Sequence, residues 1–181
     1  MSQRGLSGML VGNIPVTAAT RFPDRESYFC AGTGRRFSFA QTNERINRLA
    51  NGLLGLGLRK GDVVAFLSHN RVEMVEIYFA LAKTGIVGLP LNYRLAPVEI
   101  VELAGSMGAK GLVIERGFDE AAAQLRSGVP GIVHTVVIGD EAPAHGRGYE
   151  TLLAASPADE PRVEIDEADP FYFNLTSGTT G

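Results

Sequence analysis

An α/β fold, a mostly parallel sheet flanked by helices, is predicted by three observations. Short runs of β-prone apolar residues alternate with longer stretches whose apolar residues recur at helical spacing. Glycines stand at most of the changeovers. Runs such as Val63-Val64-Ala65-Phe66-Leu67 show no polar alternation. A strand apolar on both faces needs cover on both, which crossover helices of a parallel sheet provide.

Ser38-Phe39-Ala40-Gln41 has a hydroxyl three residues before a Gln, the pattern in which two side chains satisfy the first free N–H groups of a helix. Behind it Ile46, Leu49, Ala50, Leu53 and Leu54 form one apolar stripe, and Gly55 and Gly57 end the helix. Asp62 precedes the first strand, 63–67. Asn70, with Glu73 three residues on, is the expected cap of a second helix with a stripe of Val72, Val75, Phe79 and Ala82, stopped by Gly85. A strand follows over 86–89. Pro97 suits the first turn of a third helix with a stripe of Ile100, Leu103, Ala104 and Met107, closed by Gly108. Then come a strand over 112–114, a shorter helix over 118–126 and a strand over 133–138. Residues 139–170, rich in Pro, Gly, Ala and acids, read as a surface excursion with a short helix at 149–155. A last strand is expected over 171–175.

Composition narrows the function classes. With 181 residues, 45% of them hydrophobic, the chain can build one substantial core. A net charge of -3, with Arg and Lys scattered, gives no basic stripe, so nucleic acid is not an expected partner. Cys30 is the single cysteine, which excludes an internal disulfide, fits a reducing cytoplasm and reads as a small buried apolar residue. No apolar run approaches the roughly 20 residues a membrane-spanning helix needs, and the first residues lack the apolar block of a signal peptide.

The chemistry sits at the end. The expected strand over 171–175 runs into Thr176-Ser177-Gly178-Thr179-Thr180-Gly181. Glycines let backbone N–H groups turn inward around an anion, and hydroxyls add donors without bulk. Other phosphate loops fail the residue test. A Walker loop needs Lys-Ser/Thr after its final glycine, which Gly178 lacks, and Gly55, Gly57 and Gly61 are mis-spaced for a dinucleotide fingerprint. His69, His134 and His145 come with no nucleophile elbow or metal-ligand spacing. Lys83 reads as a solvated helix-end cation, Asp166, Glu167 and Asp169 as a solvated acidic surface, and Asn92, Tyr93 and Arg94 as a turn after a strand.

The segment 175–181 resembles the signature phosphate loop of the adenylate-forming (AMP-binding) superfamily, which includes acyl-CoA synthetases, luciferases and peptide-synthetase adenylation domains. Three upstream stretches are similar in the expected order: Phe37-Ser38-Phe39-Ala40; Leu58-Arg59-Lys60-Gly61-Asp62-Val63-Val64-Ala65; and Phe79-Ala80-Leu81-Ala82-Lys83-Thr84-Gly85 through Pro90-Leu91-Asn92. The stretch Pro90-Leu91-Asn92-Tyr93-Arg94-Leu95 resembles the acyl-CoA synthetase branch. Leu175 stands where an aromatic is frequent. Ala96 replaces a hydroxyl residue before Pro97, a change worth about 1 kcal/mol at a helix cap.

The resemblance implies that residues 1–181 form the N-terminal subdomain of an AMP-binding domain, truncated at the phosphate loop. It implies a parent fatty acid–CoA ligase that uses ATP, Mg²⁺ and CoA as co-substrates. Thr176, Ser177, Gly178, Thr179, Thr180 and Gly181 would bind the phosphates, Thr176 would also meet the Mg²⁺ they carry, and no catalytic residue would lie in this stretch. The family's next residues, x-Pro-Lys-Gly, do not follow Gly181, so the expectation is a fragment inactive alone, with apolar surface open to self-association as a homodimer. Two other readings stay open: an acyl-AMP ligase or luciferase-like enzyme that does not use CoA, and a non-enzymatic α/β interaction module.

Overall fold

A computed structural model describes residues 10–139 and 143–174. The elements are, in chain order, α1 (Asn13–Arg21), β1 (Glu26–Phe29), β2 (Arg36–Ser38), α2 (Phe39–Gly55), β3 (Val63–Leu67), α3 (Val72–Thr84), β4 (Val87–Pro90), α4 (Pro97–Ser106), β5 (Ala109–Glu115), α5 (Asp119–Gly128), β6 (His134–Ile138), β7 (Arg147–Gly148) and α6 (Tyr149–Ala154). Five strands make a sheet in the order β4-β3-β5-β6-β7, and it is parallel, as the sequence predicted of the sheet. β1 and β2 form a separate antiparallel pair.

Each central strand splits its side chains between two cores. Val64 and Phe66 of β3 join Val113 of β5, Val136 of β6, and Ile46, Leu49 and Leu53 of α2 with Ile77 and Leu81 of α3. Val63, Ala65 and Leu67 point the other way, to Leu112 and Ile114 of β5, Ile100 of α4 and Leu125 of α5. All five β3 residues are buried, which is why their run carried no polar alternation. At about 1.5–3 kcal/mol per fully buried large apolar side chain, these two layers dominate the stability.

The predicted start of α2 is present on both sides. The Gln41 N–H donates to Ser38 Oγ (3.3 Å) and the Ser38 N–H to Gln41 Oε1 (2.9 Å). At α4, Ala96 offers no side-chain acceptor, but its own N–H donates to Glu99 Oε2 (2.7 Å), so half of that reciprocal cap survives the missing hydroxyl. Gly85 ends α3 at φ 65°, a left-handed conformation glycine adopts without strain.

Several expectations are corrected. Helix α3 is not capped by Asn70: Arg71 precedes it with no side-chain cap, and Glu73 binds arginines instead. Its buried residues are Val72, Glu73, Glu76, Ile77, Ala80, Leu81, Lys83 and Thr84, so of the expected stripe Val72 is buried while Val75 is 41% exposed. Helix α3 buries these acids because arginines meet them there, Arg35 and Arg71 on Glu73 and Arg45 of α2 on Glu76. Val133 lies outside β6 and is 71% exposed. Helix α1, the β1–β2 pair and β7 were not anticipated. The predicted strand over 171–175 reduces, within the described residues, to a single parallel bridge between Tyr172 and Gly88.

Candidate functional site

The strand order reverses at β3: α3 leads outward to β4, and α4 returns the chain past β3 to β5. Open α/β sheets form their ligand crevice at the carboxyl ends of the strands beside such a reversal. Here those ends carry Ser68 and His69 after β3, Asn92, Tyr93 and Arg94 after β4, and Glu115 at the end of β5.

Glu115 gathers this edge. One carboxylate oxygen accepts from the His69 N–H (2.7 Å) and the Ser68 hydroxyl (3.0 Å), and the His69 ring Nδ1 lies 3.1 Å away. The other accepts from Arg71 Nη1 (3.0 Å). Burial alone would raise this carboxyl, but the His69 amide, the Ser68 hydroxyl, the His69 ring and the Arg71 charge hold it below the usual carboxylate range. The His69 ring clusters with Tyr93 and Phe118, with centroids 4.8 and 4.9 Å away and the two aromatic rings 6.2 Å from each other. Asn92, Tyr93 and Arg94 form the expected turn, fixed by the Arg94 N–H on Asn92 Oδ1 (3.0 Å). An open cleft of about 570 Å³ continues along the ends of β5 and β6, lined by Ile114, Glu115, Arg116, Phe118, Arg126 and His145 among others.

The terminal segment reaches the same edge beside β4. The Gly88 N–H donates to the Phe171 carbonyl (3.0 Å), and the Phe173 N–H donates back to the Gly88 carbonyl (2.8 Å). A Cβ on Gly88 would lie 3.1 Å from Leu81 Cδ1, 3.3 Å from Phe66 Cε1 and 3.3 Å from Tyr172 Cβ, so glycine permits this close approach. Tyr78 packs edge-on against Tyr172 (5.7 Å between centroids) and Phe171 (6.2 Å). The parallel register carries Asn174 toward the level of Pro90, at the carboxyl end of the sheet. Thr176, Ser177, Gly178, Thr179, Thr180 and Gly181, the residues singled out for phosphate binding, lie outside the described residues. Among the described residues, no group of three or more His, Cys, Asp and Glu side chains could hold a metal ion.

Other readings of single residues change. Lys83 is not a solvated cation: it is 7% exposed, and its ammonium is enclosed by Asn43, Asn47 and Glu160. Asp166 and Asp169 close a local turn, with the Asp166 N–H on Asp169 Oδ2 (2.6 Å), and Lys60 pairs with Asp169. Cys30 is not buried in a core. It sits half exposed at the turn between β1 and β2, where the Thr33 hydroxyl and amide lower its thiol pKa. Sequence reasoning also missed a fully buried carboxylate, Glu76, which accepts from Tyr28 (2.9 Å), Arg45 (2.6 and 3.1 Å) and Tyr149 (2.7 Å). Burial, then the Glu76 charge, push both phenols well above their ordinary value and keep them donors. Its only signal was an acid on the competing stripe of α3.

Residues 16–181 match the family model described as AMP-binding enzyme. The chain is 36% identical over 167 residues to a long-chain-fatty-acid–CoA ligase, FadD13, of Mycobacterium tuberculosis, a match covering 90% of this chain and 31% of that protein. It is 32% identical over 180 residues to Triostin synthetase I of Streptomyces triostinicus, covering 96% and 32% respectively. The inhibitor-bound crystal structure of the N-terminal domain of FACL13 from Mycobacterium tuberculosis superposes with a TM-score of 0.84 at 31% identity, covering 94% of this chain and 42% of that one. The chain thus spans about a third of the length of the curated relatives it matches. No helix among the described residues is long and apolar enough to cross a membrane.

Proposed function

This chain belongs to the AMP-binding enzyme family, and from that premise we propose that it is the leading part of an ATP-dependent, AMP-forming ligase that joins a fatty acid to CoA. The observation that carries the reading is a junction. A segment bridged to the sheet edge at Gly88, with Asn174 toward the carboxyl end of the sheet where ligands bind, leads in sequence toward Thr176-Ser177-Gly178-Thr179-Thr180-Gly181.

In the first half-reaction a carboxylate oxygen of the acid attacks the α-phosphorus of ATP. The bond from that phosphorus to the oxygen bridging to the β-phosphate breaks, and pyrophosphate leaves with the electron pair. The hydroxyls of Thr176, Ser177, Thr179 and Thr180, with the amides that Gly178 and Gly181 leave open, hold the β- and γ-phosphates and stabilise the charge gathering on the leaving group. The Thr176 hydroxyl would meet the Mg²⁺ carried by those phosphates, and the ion would supply part of the neutralisation of that charge. In the second half-reaction the CoA sulfur attacks the acyl carbon and AMP departs. The cytoplasm is the compartment assigned, in keeping with one cysteine and no disulfide partner. The similarity to a protein named as a long-chain-fatty-acid–CoA ligase supports a fatty acid as substrate and CoA as acceptor. A second reading, in which the acyl group passes to another acceptor, is favoured by the similarity to Triostin synthetase I, a protein not named as a CoA ligase.

The test is ATP–pyrophosphate exchange in a protein carrying this segment within the whole family domain. Replacing Thr176 and Ser177 together by Ala is expected to slow exchange by about 10²–10³-fold, the usual loss when a donor to developing charge is removed. Exchange at the unaltered rate overturns the assignment. The 181-residue chain alone is expected to form no AMP from ATP and a fatty acid; AMP production by it overturns that part.

A further inference from the structure

Residues 156–170 contain no helix or strand, yet side chains more than a hundred positions upstream tie them down at close intervals. Asn43, Asn47 and Asn51 stand four residues apart on α2 and so share one line of its surface. Asn51 Nδ2 donates to the carbonyls of Pro157 (2.9 Å) and Asp159 (2.8 Å). Asn47 Nδ2 donates to the Ala158 carbonyl (2.9 Å) and Glu160 Oε1 (3.0 Å), and Asn43 Nδ2 to Glu160 Oε1 (2.7 Å). Arg48 holds the Ser156 carbonyl (2.8 Å).

Lys83, reaching from α3, closes the arrangement. Its ammonium donates to Asn43 Oδ1 (2.7 Å), Asn47 Oδ1 (2.6 Å) and Glu160 Oε2 (2.6 Å). All three ammonium protons are thereby used, and Asn43 and Asn47 are each held at both oxygen and nitrogen. Lys60 then catches the Glu164 carbonyl (3.0 Å) and the Asp169 carboxylate. Immediately beyond, Phe171 and Phe173 meet Gly88. Most of these bonds go to strap carbonyls, so they fix the course of the main chain.

We infer that Lys83 is a positioning residue: through Glu160, Asn43 and Asn47 it sets the strap's path, beside Asn51 on the same helix line, and with it the point where Asn174 leaves the sheet edge, from which the sequence runs on toward Thr176. The inference rests on the function proposed above and adds to it the parts that aim the loop. Lys83 touches no substrate in this scheme.

Two variants test it: Glu160→Gln on the strap, which weakens the tie to Lys83, and Asn51→Ala on α2, which removes the ties to Pro157 and Asp159. In the 181-residue chain, hydrogen exchange at the Phe173 amide is expected to quicken about tenfold while amides of β3 and β5 keep their rates, because loss of strap ties opens only the local unit. In a protein carrying the whole domain, the KM for ATP in pyrophosphate exchange is expected to rise about fivefold, with the KM for the acid unmoved. An unchanged Phe173 amide overturns the inference, as does a loosened one with an unmoved ATP KM. Equal acceleration at the β3 and β5 amides would mean general destabilisation and also overturns it. Absence of exchange activity in the unaltered protein would instead sink the proposed reaction, while the hydrogen-exchange result still reports on the strap.

Discussion

The central sheet and the strap over 156–170 are anchored by opposite physics. β3 and β5 lie between two apolar layers in which almost every contact is nondirectional. The strap has no ladder and little apolar cover; a file of asparagines, two lysines and an arginine hold it by hydrogen bonds. Burial scales with area and tolerates small shifts, whereas hydrogen bonds fix distance and direction and contribute about 0.5–1.5 kcal/mol each. The sheet therefore supplies stability and the strap supplies placement, so the strap can be loosened with little harm to the sheet, whereas damage to the sheet lowers both.

The sharpest way to break that contrast is Phe66→Ala. Phe66 is fully buried and packs edge-on against Tyr78 at 5.1 Å. Its truncation is expected to cost about 3–5 kcal/mol and to lower the denaturation midpoint of the whole chain. A loss confined to the strap would contradict the division. Lys83→Met stands between the two regions. It leaves two asparagine oxygens and Glu160 without their cation; because the Glu160 side chain is 45% exposed and water can take over, the expected cost is about 1–2 kcal/mol, read by thermal melting. A melting temperature unchanged within error would show that the pair adds nothing to stability.

The smallest effect is the dependence on acid. Burial acts to raise the Glu160 carboxyl, but Lys83, Asn43 and Asn47 hold it below its ordinary value of 4.5. A folded value below the unfolded one contributes stability fully present above about pH 4.5 and lost as pH falls through the depressed folded value. Glu115, at the sheet's carboxyl edge, follows the same sign. Hydrogen exchange at the Phe173 amide, followed from pH 6 downward with rates corrected for intrinsic pH dependence, is expected to lose protection before the β3 amides do. Simultaneous loss would mean that sheet and strap form one cooperative unit.

What the sequence made legible divides along the same line. β3 was readable because five apolar residues in a row leave no other address. The start of α2 was readable because its cap is local, with Ser38 and Gln41 three positions apart. Helix α1 escaped because Pro15 is its one buried residue and Gly12 provides no side-chain cap, so neither stripe nor signal marks it. The face of α3 was misread because apolar residues occupy two stripes, and the buried one includes Glu73 and Glu76, whose neutralising partners come from β1, α2, α6 and flanking turns. The strap was invisible for the same reason: a carbonyl held from more than a hundred residues away leaves no periodic trace. The hydroxyl- and glycine-rich run over 176–181 was conspicuous in composition because such a pattern is local in sequence, although its residues fall outside those described.

Every anchor of the strap lies earlier in the chain than the strap itself: Asn43, Asn47, Arg48, Asn51, Lys60, Lys83 and Gly88. A ribosome delivers the chain amino end first, and segments fold as they emerge. The docking surface can thus be complete before the first strap residue leaves the exit tunnel. The segment that leads in sequence toward Thr176 would settle onto a finished template, which keeps its polar backbone out of the early collapse and makes its attachment the closing event of assembly for this part of the molecule.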